Sequence, residues 1–158
     1  MTTDIKFENG SLIITRFYSA SREEVFDAWI ETSKIKQWWG CAECKEVESE
    51  VEPKVGGKYN HHMTIETPDG EHQAPGFATL IEYHPPHRLA YTSTDDNDPM
   101  IISVDFSEVD GGTQVRLIHS NIPDMKVDGG IELREIIRGG WSAAMDKLDV
   151  FLNSEINV

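Results

Sequence analysis

The chain has 158 residues, with 28 Asp or Glu against 14 Lys or Arg, a formal charge of −14 and a pI near 4.7. Such a field repels phosphate backbones and anionic headgroups, so nucleic acid and membrane surfaces are poor partners for it. Hydrophobic residues make up 39% and are spread along the sequence, which excludes disorder and predicts one domain over residues 1–158 with a core of its own.

No apolar run is long enough to cross a bilayer, and "MTTDIKFENG" lacks the basic start and apolar stretch of a secretory signal. A cytoplasmic chain with reduced thiols is the expectation. In chain order, residues 12–18 ("LIITRFY") read as a strand. Ser21 and Glu24 then form a capping box that opens a short helix, with Val25, Phe26 and Trp29 on its apolar stripe. A second short helix is predicted from about residue 33, through Ile35 and Trp38, to stop near Gly40. From about residue 46 to 119 the pattern has period two, broken by "PKVGG", "TPDG", "HPPHR", "DDNDP" (95–99) and "DGG". That predicts an antiparallel meander. After a loop containing Pro123, residues 131–152 read as one long helix with Leu133, Ile137, Trp141, Met145, Leu148 and Leu152 on one face. Asp124 and Asp128 precede it, where the helix dipole accounts for them.

Strands segregated from helices indicate an α+β fold in which a curved antiparallel sheet buries its apolar face against the long amphipathic helix. The stretches "TRFYSASREEVFDAWIETSKIKQWW", "VGGKY", "DGEHQAPGFATLIEYHPPHRLAYT", "GGTQVRLIHS" and "GGWSAAMDKLDVFL" follow one another over about residues 10–153. In that order they resemble the proteins similar to the activator of the heat-shock protein 90 ATPase, within the START-like (SRPBCC) helix-grip superfamily that also holds polyketide cyclases. The resemblance implies the helix-grip fold and a cavity between sheet and helix; what fills the cavity differs among members.

Strand parity sorts the side chains that would face such a cavity. Tyr59, His61, Met63 and Ile65 share one face and are taken as inner; Ile102, Val104, Phe106, Val115, Leu117, His119, Leu89, Tyr91 and Ser93 join them. For residues 77–83 parity does not decide. Two histidines and two tyrosines thus face the helix side that bears Trp141 and Met145. Unpaired buried polar atoms cost about 1–3 kcal/mol each, so either these groups bond to neighbours within a packed core or they line a space that takes a ligand. Tyr59 and Tyr91 would also suit core rings.

Gly139 and Gly140 interrupt the long helix at about 1 kcal/mol each relative to alanine. Close approach to neighbouring backbone is the expected reason; room for a ligand beside Trp141 and a kink are the others. Cys41 and Cys44 follow a helix C-terminus and have Glu43 and Glu46 nearby, which should raise thiol pKa and counts against redox chemistry. Two cysteines supply half of a zinc site, and His61 and His62 point to opposite faces. These thiols are read as cavity rim or surface loop; no metal and no cofactor is expected. They also depart from the glycine and proline that usually follow the paired tryptophans in the family it resembles. The sequence carries no Gly-x-Ser-x-Gly, Walker loop, dinucleotide fingerprint or His-Glu-x-x-His.

Three functions follow. The first is a binding module for a small apolar or aromatic molecule (lipid, flavonoid or polyketide-like) walled by Trp39, Tyr59, His61, Met63, Tyr91, His119, Trp141 and Met145. The second is a cyclase or dehydratase in which His61 or His119 exchanges protons with the bound chain. The third, implied by the resemblance alone, is a chaperone partner. Members that stimulate the chaperone carry an added N-terminal domain with a basic motif, for which 158 residues leave no room, so ATPase stimulation is not expected.

Overall fold

The structure, a computed structural model, describes residues 3–93 and 97–156. Strands β1 (Asp4–Glu8) and β2 (Ser11–Tyr18) pair through a tight turn at Asn9 and Gly10, both at positive φ (51° and 79°). Asn-Gly is the strongest local signal for such a hairpin, and β1 lies ahead of the strand expected from residue 12. Helix α1 (Arg22–Ile30) starts as expected: the Ser21 hydroxyl accepts from the Glu24 N–H at 3.2 Å and donates to the Glu24 carboxylate at 2.9 Å. Val25, Phe26 and Trp29 are buried. Helix α2 (Thr32–Ile35) is shorter than predicted and continues as turns, with the N–H groups of Trp38 and Trp39 both donating to the Ile35 carbonyl.

The meander is divided between two sheets. Strands β3 (Cys44–Val51), β4 (Tyr59–Thr67) and β5 (Gly70–Ala74) form one. Strands β6 (Ala78–His84), β7 (Arg88–Ser93), β8 (Ile101–Val109) and β9 (Gly112–Ser120) run antiparallel, and β9 closes on β2, giving the order β1-β2-β9-β8-β7-β6. The sheets meet where Lys58 bridges Thr79, the Leu80 N–H donates to the Gly57 carbonyl and the His61 N–H to that of Gly76. Glycine is required there: a Cβ on Gly57 would sit 2.2 Å from the Glu52 carbonyl oxygen, and one on Gly76 would sit 2.9 Å from that of His61. The result is one curved antiparallel surface with a seam beside β4.

A small ribbon, β10 (Lys126–Val127) with β11 (Ile131–Glu132), leads into α3 (Leu133–Ile156), which therefore begins two residues after the expected start at 131. Its predicted face holds: Met145, Leu148 and Leu152 are buried and Leu133, Ile137 and Trp141 half-buried against the sheet. The buried Tyr18 hydroxyl donates to the Met145 carbonyl at 3.3 Å and Arg16 pairs with Asp146 at 2.6 Å, tying β2 to the middle of α3. The architecture is α+β, a helix-grip fold.

Parity places the inner faces of β4, β8 and β9 as read, with His62, Gln114 and Arg116 exposed. On β6, where parity does not decide, the reason is physical. A bulge shifts the register from Leu80↔Tyr91 to Glu82↔Ala90, so Leu80 and Tyr83, three positions apart, both pack on the core. The Ser93 side chain and residues 95 and 96 of the expected turn lie outside the described residues.

The glycine pair overturns its expected reason. A Cβ built on Gly139 or Gly140 meets nothing within 4 Å, and α3 runs unbroken through both. The face of the helix that carries the pair is open, with Ile136 one turn before Gly140 46% exposed. Close backbone approach is therefore absent at this point, and open space lies over the pair.

Candidate functional site

The C-terminus of α1, which bears Trp29, is bonded both to β4 and to the segment after α2 that bears Trp38 and Trp39. The last carbonyls of a helix lack partners within it. Here the Trp29 carbonyl accepts from the Tyr59 hydroxyl at 2.7 Å, and the Ala28 carbonyl from the Trp38 indole N–H at 2.9 Å. Both bonds are buried. Past α2, Lys147 of α3 donates to the carbonyls of Trp39 and Cys41, each at 3.1 Å.

These bonds assemble an aromatic cluster. The Trp39 ring stacks on His61 (centroids 4.0 Å apart, 27° between planes), and Tyr59 meets His61 edge-on at 4.3 Å. Tyr91 lies 4.5 Å from Tyr59, and Trp141 lies 5.8 Å from Trp39. His119 joins through the Trp141 indole, which donates to its Nδ1 at 2.9 Å. Six of the eight residues singled out in the sequence are thus in ring contact. Met145 is buried beside them in the core, its carbonyl taken by Tyr18. Met63, two positions beyond His61 on β4, is half-buried with its sulfur beside Gly40. A separate hollow of about 510 Å³, lined by Phe7, Gly10, Pro123, Met125, Arg134 and neighbours, contains none of the eight.

The imidazoles are neutral. Burial pushes His61 down from 6.5 to about 3 and His119 down to about 4. An indole N–H only donates, so His119 Nδ1 is the acceptor and Nε2 carries the proton, facing the Met100 sulfur at 3.2 Å. His61 differs. Its Nδ1 is held by the Ser49 hydroxyl at 2.8 Å, but its Nε2 is buried without a protein partner. The Trp29 indole N–H is in the same condition. Both orphaned atoms belong to rings that contact Trp39, since Trp29 packs edge-on against it at 5.9 Å. Burial likewise raises the Tyr59 and Tyr91 hydroxyls well above their ordinary range.

Trp29, Ser49 and Met100 were absent from the sequence reading of the site. Trp29 read as helix core, and it is core; it also stacks on Trp141 at 5.8 Å and 25°. Ser49 faces His61 across the β3–β4 ladder, a pairing that strand register decides and periodicity does not show.

Cys41 and Cys44 are free, half-buried thiols. Cys44 is raised as expected, but chiefly by burial, with Lys147 opposing and Cys41 adding a smaller rise. Among the described residues no group of three or more His, Cys, Asp or Glu is placed to hold a metal ion.

The family profile described as "Activator of Hsp90 ATPase homolog 1-like protein" matches residues 19–153. The chain belongs to this family. Among solved structures, this Hsp90-activator-homologue-like chain is similar to a Rhodobacter sphaeroides protein (TM-score 0.78, 20% identity, 97% of this chain and 99% of that one). It is also similar to a Nitrosomonas europaea protein (0.77, 18%, 96% and 100%). A third is the solution structure of an AHSA1-like protein from Aeromonas hydrophila (0.74, 21%, 92% and 93%). At these identities the likeness concerns the fold alone. No functionally curated protein matches the chain significantly. Among the described residues no helix is long and apolar enough to cross a membrane.

Proposed function

We propose that this family member binds a small, neutral aromatic or apolar molecule at the Trp39 end of its interior. The wall is the set predicted from sequence: Trp39, Tyr59, His61, Met63, Tyr91, His119, Trp141 and Met145. The observation that carries this reading is the pair of orphaned polar atoms, His61 Nε2 and the Trp29 indole N–H, on rings that both contact Trp39. Each costs about 1–3 kcal/mol while unpaired, and native proteins keep few such groups without a use. A guest with a ring to lie against Trp39 and Trp141, and a carbonyl or hydroxyl to meet these two atoms, removes both costs. It must be uncharged where it touches them, because both imidazoles resist protonation and so offer no positive charge.

The cyclase reading is the weaker. A general acid or base works best with a pKa near the operating pH, and burial holds His61 and His119 near 3 and 4.

The test is a titration with flavonoids, aromatic polyketides and fatty acids, following the indole N–H resonances and the His61 ring by heteronuclear NMR. A binder is expected to move the Trp29 indole N–H and the His61 ring together. A panel in which no compound moves either resonance overturns the proposal.

A further inference from the structure

The two thiols sit in a geometry that the aromatic site does not use. Cys44 N–H donates to the Cys41 carbonyl at 3.1 Å, closing a tight turn across which the Cys41 thiol acts electrostatically on that of Cys44. Preceding them, Gly40 adopts a left-handed φ of 95°. A Cβ placed on it would lie 2.8 Å from Cys44 Sγ and 2.9 Å from Met63 Sδ. Both sulfurs therefore come within 2.9 Å of one point, and only a residue without a side chain allows it. Met63 comes from β4, a different part of the chain, so this convergence is independent of the Cys-x-x-Cys spacing.

From this we infer that Cys41, Cys44 and Met63 form a three-sulfur site for a soft monovalent metal ion of the Cu(I) type. The donor set chooses the ion. Thiolate and thioether ligands select Cu(I), whereas zinc asks for four ligands from Cys, His or carboxylate, and among the described residues no third such group joins the thiols. Charge agrees. Two thiolates and one monovalent cation leave a single negative charge, and the Lys147 ammonium sits 3.1 Å from the Cys41 carbonyl oxygen to face it. Binding exchanges two S–H bonds for two metal–sulfur bonds, releases two protons to solvent and changes no oxidation state. The Cys44 thiol gives up its contact to the Glu46 carbonyl, 3.4 Å long, in doing so. The half-buried position of all three residues makes the site reachable without opening the core.

The experiment is an anaerobic competition for Cu(I) between the whole chain and a colour-forming Cu(I) chelator, with X-ray absorption on the loaded protein. One ion per chain is expected, with a three-sulfur shell. Met63→Leu is expected to weaken binding by at least the 10–100-fold seen for loss of a supporting ligand partner, while Cys44→Ser abolishes it. Unchanged affinity in Met63→Leu, a two-sulfur or nitrogen-containing shell, or tighter binding of Zn(II) than of Cu(I) in the same format would each overturn the assignment. The absorption spectrum is read on the unmodified protein, so the result stands even where a variant folds poorly.

Discussion

His61 concentrates the chemistry of the interior in one ring. Its pKa is about 3 when folded against 6.5 in the unfolded chain, so between those values the unfolded state holds the extra proton. Stability is therefore complete above about pH 6.5 and is lost as the pH falls toward 3. At pH 5 the loss is about 2 kcal/mol for this side chain. His119, held near 4, adds a loss of the same sign. Denaturant unfolding at pH 7 and pH 5 checks this. The native chain should weaken steeply between the two, and His61→Phe should weaken by about 2 kcal/mol less; equal losses in both proteins would mean that His61 is not buried neutral.

Among the elements, α3 departs most from expectation, and its glycine pair can be tested directly. Because a Cβ at Gly139 or Gly140 meets nothing, each change to alanine should stabilise the fold by about 1 kcal/mol, read as a higher Tm. Close packing there would give the opposite sign. If the open space over Gly140 serves the guest, Gly140→Ala will weaken binding while raising Tm, and Gly139→Ala, on the more exposed side, will raise Tm alone. The same helix shows what the sequence discloses and what it withholds. Its buried face, the cap at Ser21 and the inward parity of His61 and His119 were legible because they depend on local period and spacing. The open space over the glycines was not, since it depends on how the rest of the chain packs around α3. Nor were the bulge at Leu80, which reverses parity midway along β6, and the Ser49–His61 bond, which rests on register between strands. The Asn9-Gly10 turn was legible and overlooked.

For the whole molecule, the charge of −14 is a standing cost to compactness. Arg16, Arg22 and Arg88 each pair with a carboxylate, but exposed pairs contribute little and the acidic excess stays. Raising the salt from 0.01 to 0.15 M shortens the screening length from about 30 to about 8 Å and should raise Tm by several degrees at neutral pH. A Tm that ignores salt over that range would show that the acidic groups are spaced too widely to repel. The anionic shell also repels anionic competitors of the neutral guest proposed above, while leaving uncharged molecules unaffected.

Lys147 gives the fold a latch. One ammonium on α3 holds the carbonyls at both ends of Trp39-Gly40-Cys41, tying the segment that bears Trp39 to the helix. For the guest proposed above, the expected consequence is kinetic: releasing Lys147 changes how often the interior is entered more than how firmly a guest is held. Lys147→Met should speed arrival and departure together in stopped-flow fluorescence while leaving Kd nearly unchanged; a change confined to departure would make Lys147 part of the grip on the guest instead.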